Sequence, residues 1–388
     1  MYEPTTTINE LELLSIANPV PQSWKSDHPL LESSLHQLSP YIGKLQSSIA
    51  RELVLRYSSP GDLVVDPFSG AGTIPLEALH SDRRAFASDI SPYAKVLTLG
   101  KARAPICLFQ ALDQVEMALE EAQHLPPPDL RGVPAWVREF FHQRTLKEAI
   151  NFAVVCRKAG REFLLSCFLG ILHHQRPGFL SFPSSHLVPY LRDNKFPRQD
   201  YPSLYDYRPL RPRIIAKIER SLRRAPSETW RENIEFHKRS IETLQFPDRH
   251  DAIITSPPYM NALDYGRDNR LRLWFIDPDT DWQKQEKPTT RKSTFLAAMR
   301  ALARAADDKL KPEGFCVLVV GEESGRKGTK HPSREVVEVL SQTARTLSLR
   351  KVLSDDIPDI RRSRKECKDV KREHVLIFQK MKNARQSS

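Results

Sequence analysis

The chain has 388 residues, 40% of them hydrophobic, and its 59 Lys and Arg against 48 Asp and Glu leave a formal charge of +11. This is enough for one large domain or two ordinary ones with a real core, which excludes a disordered tail or a small disulfide scaffold. The cationic excess favours a polyanion such as nucleic acid, and five cysteines without a Cys-x-x-Cys pair read as reduced thiols of a cytoplasmic protein with no metal centre.

The first 38 residues are weakly patterned and read as an N-terminal extension, with no basic and apolar leader. No window approaches the roughly 18 uninterrupted apolar residues of a membrane span. Ile42, Leu45, Ile49, Leu53 and Leu55 are spaced for an amphipathic helix over 41–58, and Pro60-Gly61 marks a turn. Leu63 to Val65 is an apolar run of the buried parallel-strand type, followed by a helix from Thr73 to Leu79. Arg84 to Asp89 reads as the second strand. Helical periodicity then dominates at 111–123, 134–150 and 151–172, followed by a proline-rich basic stretch, 178–212, and a basic helix, 213–224. Strand-like runs resume at 233–236, 251–254, 315–320, 349–353 and 374–378, with a helix over 293–310 between two of them. The alternation predicts an α/β, Rossmann-like doubly wound sheet with a mostly helical insertion. The catalytic domain is expected in 39–100 and 231–388, with 101–230 as the inserted target-recognition region.

Two segments carry chemistry. Asp66-Pro-Phe-Ser-Gly-Ala-Gly-Thr73 is a glycine-bearing strand-to-helix turn, where the backbone can approach a nucleotide-like ligand and the helix directs its first amides at it. Asp66 stands at the strand end, placed for a ligand ammonium, and Asp89 stands at the end of the next strand, placed for ribose hydroxyls. A Gly-x-Gly also occurs as a plain tight turn or a dinucleotide site. The missing third glycine and the missing Gly-Lys-[Ser/Thr] weaken the dinucleotide and NTPase readings.

The second segment is Asp251-Ala-Ile-Ile-Thr-Ser-Pro-Pro-Tyr259. A base amino group is conjugated with its ring and is a poor nucleophile, so something must accept its hydrogens. Ser256 and the Pro257 carbonyl can do so, Pro258 helps fix the carbonyl direction, and Tyr259 offers a flat face to an extruded base. The bland alternative is a rigid loop at a strand end.

The string at 66–73 resembles motif I of the amino-methyltransferases, and Ser39-Pro-Tyr-Ile-Gly-Lys44 resembles their motif X. The longer string from Thr255 to Arg267 is similar to bacterial site-specific DNA methyltransferases of the TSPPY type. The resemblance implies S-adenosyl-L-methionine as cofactor, bordered by Tyr41, Asp66, Pro67, Phe68, Gly70, Gly72, Thr73, Asp89 and Ile90. It implies double-stranded DNA as substrate and, for a modification enzyme, a cognate restriction endonuclease. Serine in the first position of the tetrapeptide points within that family to cytosine N4, with adenine N6 as the alternative. No cysteine follows a proline, which disfavours C5-cytosine chemistry. Where relatives have a small acidic turn this chain reads Phe236 to Glu242, leaving the adenine contact open between Ser240 and Glu242.

Between Ile171 and Trp230 eleven Lys and Arg face five Asp and Glu, with Phe196, Tyr201, Tyr205 and Tyr207 among them. Lys195, Arg198, Arg211 and Arg213 are the candidates for DNA contact. An RNA or tRNA guanine-N2 methyltransferase shares the resemblance over Asp66 to Glu77, but only about 60 residues precede that segment, which favours DNA. An inactive DNA-binding module is the remaining alternative, and the two intact motifs argue against it. His173-His174 has no companion cluster and reads as structural.

Overall fold

Val64 and Val65 are neighbours in sequence and point to opposite faces of one sheet, as the two-residue period of a strand requires. Val64, Ile254 and Val317 belong to one apolar layer, and Val65, Ile253 and Cys316 to the other. Strands covered on both faces read as continuous apolar runs, which is why they stand out in the sequence. The computed structural model describes residues 17–25, 32–41, 43–174, 178–181, 196–224, 230–258, 265–280, 291–322, 332–357 and 371–382.

Among these are eight strands: β1 (Asn18–Pro19), β2 (Leu63–Asp66), β3 (Arg84–Ser88), β4 (Ile234–His237), β5 (His250–Thr255), β6 (Leu310–Glu322), β7 (Leu347–Ile357) and β8 (Lys371–Lys380). Their order in the sheet is β1-β7-β8-β6-β5-β2-β3-β4. β4, β3, β2, β5 and β6 are parallel, and β8 runs antiparallel between β6 and β7. This is a doubly wound, Rossmann-like sheet. The chain builds outward from β2 through β3 to β4 and then returns to the other side of β2 as β5. The crevice between the carboxyl ends of β2 and β5 is therefore a topological switch point, where open α/β sheets bind ligands.

Helices cover both faces. On one side lie α1 (Ser47–Tyr57), α2 (Thr73–His80) and α3 (Pro92–Ala102), followed by α4 (Leu108–His124), α5 (Gln143–Lys158), α6 (Glu162–Leu169) and α7 (Leu210–Ser221). α8 (Tyr265–Ile276) packs on the same side, while α9 (Lys292–Lys309) and α10 (Pro332–Thr343) cover the other. The segment between β3 and β4 is helical, and Ala111, Val115, Leu146, Phe152 and Ile214 share one buried cluster with Val64 and Leu97. These helices extend the layer over the sheet and have no core of their own.

Several boundaries differ from the sequence expectation. The helix expected from Tyr41 begins only at Ser47, and Ser39 and Pro40 before it are bonded to Tyr93 of α3. The helical stretch at 134–172 is broken into a short turn at Ala135–Arg138, then α5 and α6. β7 and β8 run well beyond their apolar centres, since antiparallel pairing continues through polar pairs such as Asp356 opposite Arg372. Residues Asn18 and Pro19 of the N-terminal extension pair with Leu353 and Ser354 on the outer edge of β7. Cys107, Cys156, Cys167 and Cys316 are free thiols. No helix of the described residues is long and apolar enough to cross a membrane.

Candidate active site

After Asp66 the chain turns through 67–72 into α2, with Gly70 at φ +46° and Gly72 at φ +69°. Both lie in the left-handed region that a Cβ disfavours. Their surroundings differ. A Cβ on Gly70 would stand 3.2 Å from the Tyr41 ring beside the cleft, whereas one on Gly72 would stand 2.8 Å from Thr98 Cα. The room left by Gly72 is filled by α3, and Gly72 does not line the cleft that Gly70, Ala71 and Thr73 border. Gly72 thus lets α2 and α3 pack closely. Behind the turn, buried Lys101 donates to the Ala71 carbonyl at 2.5 Å, and its amine is pulled down to about 7 by burial, with Lys44 adding to the effect.

The cleft is bordered by Tyr41, Asp66, Pro67, Phe68, Gly70, Thr73, Asp89, Ile90, Ser256, Pro257 and Pro258, and holds about 1010 Å³ of space counted to its open mouth. Asp66 is 2% exposed, and its Oδ1 accepts from Thr255 Oγ1 at 2.6 Å and from the Phe68 amide at 3.3 Å. Burial pushes its carboxyl up to about 7, and no Lys or Arg among the described residues pairs with it. Such a carboxyl fits a cationic ligand. Asp89 accepts from the Gly70 amide at 2.9 Å through Oδ2 and from the Ser91 amide at 2.9 Å through Oδ1. Burial raises its carboxyl too, against these amides. A carboxylate has about four lone-pair sites, and with the Ile90 amide also bonding it Asp89 keeps room for a hydroxyl donor.

At the end of β5 the Ser256 hydroxyl donates to the Val319 carbonyl of β6 at 3.2 Å. Tyr259 lies outside the described residues. No cysteine lines the cleft among those described.

Sequence reasoning missed several wall residues. Ser69, Ile74, Ser91 and Arg239 line the cleft, as does Ala298 of α9. Ser240 and Glu242, left open as alternatives, both reach it, together with Ile241 between them. Segment 39–41 is held by Tyr93 of α3, whose Oη lies 2.6 Å from Ser39 Oγ and from the Pro40 carbonyl, and whose ring stacks on Tyr41 at 5.8 Å. A tyrosine on the buried face of α3 was the available signal, since a buried phenol needs a partner.

The basic face differs more. Arg211 pairs with Glu116 at 2.8 Å, and Arg213 is half-buried, donating to the Pro209 carbonyl at 3.0 Å. Arg198 lies 5.5 Å from the Tyr205 ring centre, and Tyr205 Oη donates to the Phe196 carbonyl at 2.7 Å. Tyr207 bonds Glu148. These aromatics hold the insertion to itself; Tyr201 is the exposed one at 43%. Lys195 lies outside the described residues. His174 stacks on Phe179 at 4.8 Å, and the described residues contain no cluster of metal-ligating type.

Residues 22–98 match the model of the N6 and N4 DNA methylases. A type II methyltransferase, M.MjaII of Methanocaldococcus jannaschii, is 30% identical over 59 residues, 15% of this chain and 11% of the relative, so the match spans about a tenth of that protein. Similar solved structures include TrmN from Thermus thermophilus, 13% identical with a TM-score of 0.34 over 87% of this chain and 50% of that one. A geranyl diphosphate methyltransferase in complex with SAM is 10% identical, with a TM-score of 0.35 over 94% and 97%. S-adenosyl-L-methionine is the cofactor that goes with the matched family, and an unpaired carboxyl at Asp66 with free lone pairs on Asp89 fits it. Over residues 22–98, which end within α3 beyond the glycine turn, the chain is similar to the N6 and N4 DNA methylases.

Proposed function

We propose that the protein transfers the methyl group of S-adenosyl-L-methionine to an exocyclic amino nitrogen of a base in double-stranded DNA, with cytosine N4 as the favoured acceptor. The polarity of the edge at 256–258 carries this reading. The single proton of the Ser256 hydroxyl is committed to the Val319 carbonyl, so the oxygen offers lone pairs elsewhere. Pro257 and Pro258 have no N–H. An edge made of acceptors matches a ligand group that has only hydrogens to give, which an amino group is.

An amino group that donates both hydrogens is drawn from planarity, and its lone pair is freed for attack. The bound cofactor supplies an electrophilic methyl carbon on a sulfonium. With the cofactor held there, the nitrogen would take the methyl as the carbon–sulfur bond broke, and its surplus proton would be lost to water. Asp66 and Asp89 hold the donor in line, so that much of the rate comes from alignment. In a duplex the base must leave the stack, with Tyr259 as its stacking partner. The segment Arg239–Glu242, at the cleft wall beyond β4, is the proposed adenine contact. The short identity to a type II methyltransferase supports a modification role beside a cognate restriction endonuclease.

Incubation with methyl-labelled cofactor and either duplex DNA or tRNA, followed by digestion to nucleosides, tests the proposal. Label in N4-methylcytosine is expected. Label in N6-methyladenine corrects the base, and label in tRNA alone replaces the reading with guanine-N2 chemistry. No label in either, with cofactor binding intact, leaves a DNA-binding module.

A further inference from the structure

We propose that a basic groove beside the cleft, between residues 32–44 and the C-terminal end of α7, carries the phosphodiester backbone of the DNA, with Arg220 and Arg223 as contacts. This inference rests on the DNA reading above and names a surface other than the one the sequence selects.

The groove holds about 1630 Å³ counted to its open mouth, and among the described residues five cations line it, Lys44, Lys217, Arg220, Arg223 and Arg224, against one acid, Glu32. Glu32, whose Oε1 accepts from Ser47 Oγ at 3.0 Å, offsets one of these charges and leaves a cationic excess. Arg220 and Arg223 are exposed and have no hydrogen bond or ion pair among the described residues. By contrast, Arg211 at the other end of α7 is committed to Glu116. Lys217 donates to the Gln37 carbonyl at 2.6 Å, and its amine is lowered by burial, with Arg220 and Lys44 adding repulsion. Like charges gathered without acids cost stability unless an anion is present to offset them.

The floor of the groove is built. Ser34 Oγ donates to the Ser221 carbonyl at 2.7 Å and accepts from the Arg224 amide at 3.2 Å, and Arg224 Nη1 donates to the Glu32 carbonyl. These bonds fasten the N-terminal segment to the end of α7 across 187 residues of sequence. What selects a nucleic-acid strand over another anion is continuity: Lys44 lines both this groove and the cleft. Residues Ser39 to Tyr41 and Gly43 to Leu45 thus border the cleft on one side and the cations on the other. A strand lying in the groove would pass beside the cleft that receives its base.

The test is fluorescence anisotropy of the full chain with a short labelled duplex over a series of KCl concentrations, comparing wild type with R220Q/R223Q. The log–log salt slope is expected to shrink by roughly 2, near 0.9 for each phosphate no longer neutralised. Kd should rise about tenfold at low salt, equally on unrelated sequences. Cofactor affinity and melting temperature should stay at wild-type values, since both side chains are exposed. An unchanged slope and Kd overturns the groove and leaves the methyl-transfer reading standing. Absence of DNA binding by the wild type overturns both, and a weakening seen with an RNA stem but not with duplex DNA overturns the assignment to DNA.

Discussion

Asp66 accepts a 2.6 Å hydrogen bond from the Thr255 hydroxyl, so the strand end that carries the glycine turn is tied to the residue immediately before Ser256. The bond joins β2 to β5, which lie side by side with Val65 opposite Ile253. The bond adds to the strand pairing that fixes the spacing between Asp66 and Ser256. Thr255→Val keeps the volume and removes the donor from a buried carboxyl. A loss of about 1–3 kcal/mol is expected from thermal or urea unfolding. Cofactor affinity should weaken as well, and full retention of both would show that the bond positions nothing.

The acidity of Asp66 sets a pH dependence. Its carboxyl rises from 3.8 in the unfolded chain to about 7 in the folded protein without ligand, chiefly through burial. The folded state therefore holds the proton more tightly, and this group's contribution to stability is present below pH 3.8 and is lost as pH rises through about 7. A cationic ligand reverses the preference. Cofactor affinity should fall by about tenfold per pH unit below pH 7 and level off above it. Calorimetric titration checks this, and Asp66→Asn should bind weakly with that dependence removed.

Ser256→Ala removes the hydroxyl proposed to receive an amino hydrogen and leaves Asp66 and Asp89 in place. Turnover is expected to drop by about a hundredfold or more, with cofactor Kd near wild type. Loss of cofactor binding instead would place Ser256 in the other half of the site.

Gly72→Ala brings two costs together, a Cβ at φ +69° and an approach of 2.8 Å to the Thr98 backbone. Destabilisation of about 2–5 kcal/mol is expected from the combined strain and overpacking. Gly61→Ala is the control, because its φ is +84° with nothing within 4 Å, and it should cost only about 1–2 kcal/mol. Equal melting-point shifts for the two would refute the helix-packing role given to Gly72.

The His36 and Glu77 side chains are buried 2.5 Å apart below the glycine turn, with Arg51 also on Glu77 at 3.0 Å. Burial lowers the imidazole to about 4, so it is neutral in the folded protein, while His36 and Arg51 hold the Glu77 carboxyl below its usual range against burial. The unfolded chain takes up a proton on this histidine between its ordinary value of 6.5 and about 4, so stability should fall as pH drops through that window. Chemical unfolding at a series of pH values, compared with His36→Gln, measures it; the slope between pH 6.5 and 4 should lessen in the variant.

The strands β2, β3 and β5 and the turn at 66–73 were legible because each is written in a local pattern: a two-sided apolar run, then glycine and proline punctuation. The tetrapeptide beginning at Ser256 was legible for the same reason, and the α/β order followed from the alternation. Partners were not. Ser256 gives its proton to a carbonyl 63 residues away, Tyr93 holds a segment 53 and 54 residues before it, and Thr98 fills the space that Gly72 leaves. Composition marked α7 as basic, yet the structure commits Arg211 to Glu116 and leaves Arg220 and Arg223 exposed. Periodicity records which face of an element is buried and a turn records its own dihedrals, both over a few residues. Which charge is neutralised, and which glycine faces a ligand, depends on the element packed against it, and that is settled only when the chain folds.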